Sequence, residues 1–218
     1  MDYCTINTSV MKLNLIIFLS VSLFCFSCQN EIKVACIGDS ITNGGGGDQA
    51  SFYPVQMDLL LSDDFQVMNC GESGSTMQND GNKPYWNQKD LHNVFMYKPS
   101  IVTIMLGTND SKTDIWNARS YELSYQSMID TLKTLDPQPK IYLCTPPPAY
   151  SSAWTISDST IRLGVIPIVE KIAERNNIQV IDVYNGMTNM SDLFPDGIHP
   201  DKEGRKIIAE ILVKGIKE

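Results

Sequence analysis

Asp196 and His199 stand three residues apart across Gly197-Ile198, and His199 is one of only two histidines in the chain. A neutral imidazole is a useful base only when something fixes its tautomer, and a carboxylate on the same tight turn can do that. Such a base needs a nucleophile. Ser40, in Gly38-Asp39-Ser40, directly follows the short apolar run Lys33–Ile37. A serine on that strand-to-helix turn stands exposed at the carboxyl edge of a sheet. Asn109, in Gly107-Thr108-Asn109-Asp110, follows a second apolar run. Its carboxamide can donate to a developing oxyanion. Gly71 and Gly74, in Asn69-Cys70-Gly71-Glu72-Ser73-Gly74, come after a third run. Either could bring a backbone N–H close to a reacting atom. Taken singly, each feature has a plain alternative: Ser40 as a helix cap, Asn109 as a loop cap, Asp196 and His199 as a surface contact.

Other features carry less. His92 lies in Leu91-His92-Asn93-Val94-Phe95 with only Asp90 nearby, and reads as structural. Gly44-Gly45-Gly46-Gly47 has neither the Walker spacing nor a G-x-G-x-x-G context. It reads as a flexible lip of the site.

The elements that must hold these residues alternate between strand and helix. Strands are expected at Lys33–Ile37, Phe65–Met68, Ser100–Leu106, Lys140–Cys144 and Ile178–Val183. The unbroken run Ile101–Leu106 implies burial on both faces, as in a parallel sheet. Helical spacing marks Ser51–Leu61, with Pro54 in the first turn, and Tyr121–Leu135, stopping before Pro137. A helix at Val165–Ala173 enters or kinks near Pro167, and Asp201 caps a last helix carrying Ile207, Ile208, Ile211 and Leu212. The stretch from Gly71 to Pro99 lacks a strand and holds a loop and a short helix near Lys89–Phe95. Five strands separated by helices predict an α/β fold: a three-layer α/β/α sandwich with a five-stranded parallel sheet, whose sites form at the carboxyl ends of the strands. There are no repeats and no second globular domain.

Of 218 residues, 43% are hydrophobic, enough for one substantial core, and the net charge is -8. With no basic run there is no nucleic-acid footprint, and the acidic balance disfavours polyanionic partners. The N-terminus differs from the rest. Met11-Lys12 is followed by the apolar run Leu13–Phe24, too short for a comfortable membrane span. This reads as a secretory signal, with Met11 a candidate start. Ser27-Cys28 closes it, resembling a bacterial lipoprotein signal in which Cys28 is lipidated, although Phe26 is bulky for that pattern. The expected division is a leader over residues 1–28 and a catalytic domain over 29–218, exported to the cell envelope and held on a membrane by lipid. Ordinary cleavage and secretion is the alternative. Cys36, Cys70 and Cys144 lie in strand-like runs and read as buried thiols. A Cys36–Cys70 bond is conceivable if their strands are neighbours.

Together the segments Gly38-Asp39-Ser40, Gly74, Gly107-x-Asn109-Asp110 and Asp196-x-x-His199 resemble the four signature blocks of the SGNH (GDSL-like) hydrolases. The resemblance covers nearly all of the chain after the leader. It implies a flavodoxin-like fold and a serine esterase working through an acyl-enzyme. Ser40 would be the nucleophile, His199 the base and Asp196 its orienting partner. The Ser40 N–H, the Gly74 N–H and the Asn109 side chain would form the oxyanion hole. Gly74 is preferred to Gly71 because it sits at the family's usual distance after Asn69. No metal or organic cofactor is required. Asp39 and Asp110, within these blocks, are candidate substrate contacts. So are Trp86, Trp116 and Trp154, which with Tyr85 and Tyr150 lie in loops expected to ring the site. Their rings could stack on sugars or simply pack the loops. Gly107–Lys112 with Trp116 nearby looks like members that deacetylate carbohydrates, so a glycan or small-molecule ester is the expected substrate. A lysophospholipase or acyl thioesterase is the alternative within the family. A non-catalytic glycan-binding lipoprotein is the alternative outside it.

Overall fold

Along β1 (Ile32–Gly38), Ala35 and Ile37 turn to one layer of the molecule, and Val34 and Cys36 to the other. All four are fully buried, which is what a strand covered on both faces demands. The computed structural model describes Met1 and residues 31–218. Apart from Met1, the expected leader, with Cys4, Cys25 and Cys28, lies outside the described residues.

After β1 come α1 (Ser40–Asn43), α2 (Tyr53–Leu60), β2 (Phe65–Gly71), α3 (Lys89–Tyr97) and β3 (Ile101–Met105). Then follow α4 (Ala118–Leu132), β4 (Lys140–Cys144), the short α5 (Asp158–Thr160), α6 (Ile166–Asn176), β5 (Gln179–Ile181), α7 (Val183–Gly186) and α8 (Lys202–Lys217). All five strands are parallel, in the order β2-β1-β3-β4-β5. From β1 the chain steps one way to β2 and then back past β1 to β3. The two connections diverge there and open a crevice at the carboxyl ends of β1 and β3. The register pairs Gly38 with Met105, so the residues that follow each strand emerge side by side.

One face of the sheet packs on α3, α4 and α6 through Leu91, Tyr125, Met128 and Val169. The other packs on α2 and α8 through Met57, Ile208, Leu212 and Ile216. Burying each of those α8 aliphatics contributes about 1.5–3 kcal/mol. Asp201 starts α8 as expected, its Oδ1 accepting the Gly204 N–H at 2.9 Å.

Several boundaries differ from expectation. β2 runs on to Gly71 because Asn69, polar in a strand, spends its amide on the carbonyl of Thr42 in α1. α4 starts at Ala118 because Asn117 caps it, accepting the Ser120 N–H. β5 is shorter than the apolar run, because Asp182 breaks it by capping α7. The segment before Pro167 is already helical, passing through a π-turn at Ile161–Val165. Cys36 and Cys70 do sit on neighbouring strands, but their side chains fall on opposite faces of the sheet. Both are free and buried, as is Cys144. Burial pushes the Cys36 thiol up to about 12, leaving it inert.

Candidate active site

Asp39 and Ser40 leave β1 at that crevice. The Asp39 side chain caps α1 by accepting the Ile41 N–H at 2.9 Å, which fixes where Ser40 begins the helix. Ser40 Oγ lies 2.8 Å from His199 Nε2. On the far side of the ring, His199 Nδ1 lies 2.7 Å from Asp196 Oδ2. Asp196 Oδ1 accepts the N–H of Ile198 at 2.8 Å and of His199 at 2.7 Å. One carboxylate oxygen thus builds the turn and the other orients the imidazole. With the Nδ1 proton donated to Asp196, the Nε2 lone pair faces Ser40. Burial alone would raise the Asp196 carboxyl, but the His199 backbone and side chain and the Ile198 N–H hold it below the ordinary value. The turn is braced from the loop after β4. Ser151 Oγ donates to the Asp196 carbonyl at 2.9 Å, and the Tyr150 N–H donates to the Gly197 carbonyl at 2.7 Å.

Asn109 arrives from β3. Gly107 makes this exit possible with φ of +143°, where a Cβ would lie 2.6 Å from Val165 Cγ1. Asn109 is buried, yet among the described residues its Nδ2 has no hydrogen-bond partner. A buried amide donor without an acceptor costs about 1–3 kcal/mol, which marks this group as held for a ligand atom. The loop after β2 supplies Gly74 at φ +80°. It is tied down by Asn43 Nδ2 donating to the Gly71 carbonyl, Ser73 Oγ to Asn43 Oδ1, and Lys83 Nζ to the Ser73 carbonyl. The Gly71 N–H is already taken by Asn69 Oδ1, whereas among the described residues no acceptor takes that of Gly74. This separates the two glycines.

Ser40, Gly74, Asn109 and His199 together line a pocket of about 240 Å³. Ile156, Ile198 and Trp154 give it an apolar wall, and Lys112 stands at it too. Spacing did not single out Lys112 or the isoleucines. Lys112 closes the Gly107–Lys112 segment that resembles carbohydrate-deacetylating members, which is the signal that points to it. Gly45 of the glycine run lines an adjoining hollow with Asp196, His199 and Arg205, so the run borders His199. A separate groove of about 510 Å³ lies at the opposite edge, between the amino ends of β4 and β5, far from these groups. Among the described residues, no group of three or more His, Cys, Asp or Glu is placed to hold a metal.

Four expected substrate contacts are not brought to the pocket. Asp110 is fully buried and spends both oxygens on the N–H groups of Met77 and Gln78. Asp39 is fully buried as the cap of α1. Trp116 is wedged against Gly164 and the Tyr121 ring, and Trp86 packs on the main core. Only Trp154 reaches the site, 57% exposed, with its ring edge-on to His199 at 5.4 Å. Tyr85 donates to the Cys70 carbonyl from the interior, and Tyr150 packs on Phe194. His92 is exposed on α3, outside the site.

The buried carboxyls give stability a pH dependence. Burial lifts Asp39 to about 6 against the pull of the Ile41 N–H and the His199 charge, and lifts Asp110 to about 7. A folded pKa above the unfolded one means that the folded state prefers the proton. The ionisation penalty is absent well below about 4 and complete above about 7. Asp39→Asn keeps the carbonyl cap and removes the charge, and among the described residues Asp39 Oδ2 has no partner to lose. Relative to wild type, this variant should gain on the order of 2 kcal/mol in unfolding free energy between about pH 4.5 and about pH 7.5. Urea titrations at both values check this, and a relative loss over that range would contradict it.

Residues 36–207 match the model of the GDSL-like lipase/acylhydrolase family. An acetylxylan esterase of Xylanibacter ruminicola is 38% identical over 210 residues, covering 87% of this chain and 44% of that protein. The chain therefore spans less than half the length of that relative. A GDSL esterase/lipase of Arabidopsis thaliana is 27% identical, covering 85% of this chain and 86% of its own. Among solved structures, an acetylxylan esterase from Geobacillus stearothermophilus superposes with a TM-score of 0.67 at 25% identity. That match covers 86% of this chain and 97% of the other.

Proposed function

This chain belongs to the GDSL-like lipase/acylhydrolase family, and we propose that it is a serine esterase removing O-acetyl groups from carbohydrates through an acyl-enzyme. The observation that carries this reading is the line Asp196–His199–Ser40 ending opposite the unpartnered Asn109 amide in one small pocket. His199 Nε2 takes the Ser40 Oγ proton as Oγ attacks the ester carbonyl. The carbonyl oxygen becomes an oxyanion among the Ser40 N–H, the Gly74 N–H and Asn109 Nδ2. His199 returns the proton to the departing sugar hydroxyl, and water, deprotonated by the same nitrogen, releases acetate and frees Ser40. Asn109→Ala should lower kcat by roughly 10²–10³ with little change in KM, because its donor is needed most once charge has moved to oxygen. Single-turnover rates check this; an unchanged kcat would remove Asn109 from the oxyanion hole.

A pocket of about 240 Å³ lies below the usual range for drug-sized ligands. It admits an acetyl group against the apolar wall of Trp154, Ile156 and Ile198. The relatives named as acetylxylan esterases support the same substrate class. Initial rates on a series of aryl esters test acyl size. kcat/KM should fall beyond butyrate, each unaccommodated methylene costing about 1–3 kcal/mol. Faster turnover of octanoyl than of acetyl esters would move the reading to a lysophospholipase or thioesterase.

We also propose that residues 1–28 form an export leader and that Cys28 anchors the enzyme outside the cytoplasm. The support is the apolar run ending at Ser27-Cys28 before polar Gln29-Asn30-Glu31. Among the described residues no helix is long and apolar enough to cross a membrane. Two or more acyl chains would hold the protein firmly, whereas one would not. Mass spectrometry of the mature N-terminus decides it, since any start other than a lipidated Cys28 rules the anchor out.

A further inference from the structure

Beside the ester pocket lies an open trough of about 540 Å³, sharing Ile156 with it as a common wall. The side chains along it are mainly hydroxyls, from Thr113, Ser151, Ser152, Thr155, Ser157 and Ser159. Asp158 is its only charged group, and that carboxylate already receives the Ala149 N–H and the Tyr184 hydroxyl. Among the described residues, the hydroxyls of Thr113 and Ser152 have no protein partner, and that of Ser159 has only Ser157. Groups that both donate and accept, with no cation among them and one carboxylate already holding two neutral donors, match a neutral polyol. They match neither an acyl chain nor a phosphate.

Trp154 lines the ester pocket, and its chain neighbours Ser152 and Thr155 line the trough. Its backbone is left-handed, φ 54° and ψ 29°, and Thr155 follows at φ 64°. For a β-branched residue this is costly, of order 1–3 kcal/mol, and it survives only where the surroundings enforce it. The enforcement is visible. The Thr155 N–H donates to the Ser152 carbonyl, the Thr113 N–H to the Thr155 carbonyl, and Thr155 Oγ1 to Asp114 Oδ1. The strained loop holds a large indole 57% exposed beside His199, a position that hydrophobic burial alone would not choose.

We propose that this trough is a subsite for a neutral oligosaccharide chain, with Trp154 as the face on which the sugar ring next to the scissile ester stacks. The proposal rests on the carbohydrate reading above and sharpens it: the preferred substrate is a chain of several sugars rather than a single acetylated one. Xylotriose without acetyl groups serves as the binding probe, measured by calorimetry. Mono-acetylated xylose and mono-acetylated xylotriose serve as substrates. Ser159→Trp and Thr113→Trp fill the trough from two exposed positions, and thermal unfolding verifies that each folds. The wild type should bind xylotriose and show at least about a tenfold higher kcat/KM on the trisaccharide ester than on the monosaccharide ester. Either tryptophan variant should lose both the binding and the chain-length gain, and Trp154→Ala should weaken binding with them. Absence of xylotriose binding, or binding that survives both filled variants, overturns the subsite. Xylotriose binding lost in the filled variants but with no acetate released from any sugar ester would keep the subsite and sink the substrate reading instead.

Discussion

Ser40→Ala should lower kcat/KM for aryl acetate hydrolysis by roughly 10⁴-fold or more, while the protein folds as before. The loss is large because the group removed is the one proposed to form the acyl bond, and no neighbour can replace it. Thr42 is the nearest other hydroxyl along the chain, but it is buried and bonded to the Tyr53 hydroxyl. Cys36, Cys70 and Cys144 are sealed in the core. Stability should move by less than about 0.5 kcal/mol. Ser40 opens α1, where alanine is a good helix former, and its Oγ is bonded only to His199. The check has two parts: initial rates, and labelling of the wild type by a serine-directed phosphonate followed by peptide mapping. Activity within a few-fold of wild type, or label elsewhere than Ser40, would sink the assignment.

Why Ser40 was legible in the sequence, and Trp116 was not, follows from what spacing encodes. A catalytic group at a strand end is tied to its strand by one or two residues, and the strands here are continuous apolar runs. Ser40 and Asn109 therefore had to emerge on one edge once β1 and β3 were neighbours. The same logic misled for Asp39 and Asp110. Each is adjacent in sequence to a residue that lines the pocket, but an adjacent side chain on a tight turn points elsewhere. Here Asp39 goes to the α1 cap and Asp110 to the backbone of the loop after β2. Loop membership likewise says nothing about which way a ring faces. Trp116 is drawn inward by Gly164, 48 positions further along, whose missing side chain leaves the space the indole fills. That complementarity exists only in three dimensions. The unpaired amide of Asn109 is also invisible in sequence, since it depends on every possible acceptor being elsewhere. The extension of β2 to Gly71 escaped the hydrophobic pattern for a related reason. Asn69 is stabilised in the strand by partners in α1 rather than by burial of apolar surface.

The two histidines give the sharpest separation. His199→Ala should cost about as much as loss of Ser40, roughly 10⁴-fold in kcat/KM, while His92→Ala should stay within a few-fold of wild type. His92 is exposed on α3 and touches nothing in the pocket. His199 sits 2.8 Å from Ser40 Oγ, and removing it leaves the hydroxyl without an acceptor for its proton. The two losses should also fail to add: Ser40→Ala combined with His199→Ala should be no worse than either alone, because both groups serve one proton transfer. Asp196→Asn probes the third member without dismantling the turn. Its remaining carbonyl oxygen can still accept the N–H groups of Ile198 and His199, as Oδ1 does now. The new NH₂ would then face the Nδ1–H of His199 across the present 2.7 Å contact. Two donors cannot share that contact, so the imidazole must move its proton to Nε2 and present a donor, not a base, to Ser40. A fall of roughly 10⁴-fold in kcat with near-normal stability is the expected signature of the wrong tautomer. Imidazole ¹⁵N chemical shifts in Asp196→Asn read the tautomer directly. A lethal His92→Ala, or an Asp196→Asn enzyme that keeps both the Nδ1–H form and its activity, would mean that the base and its partner lie elsewhere.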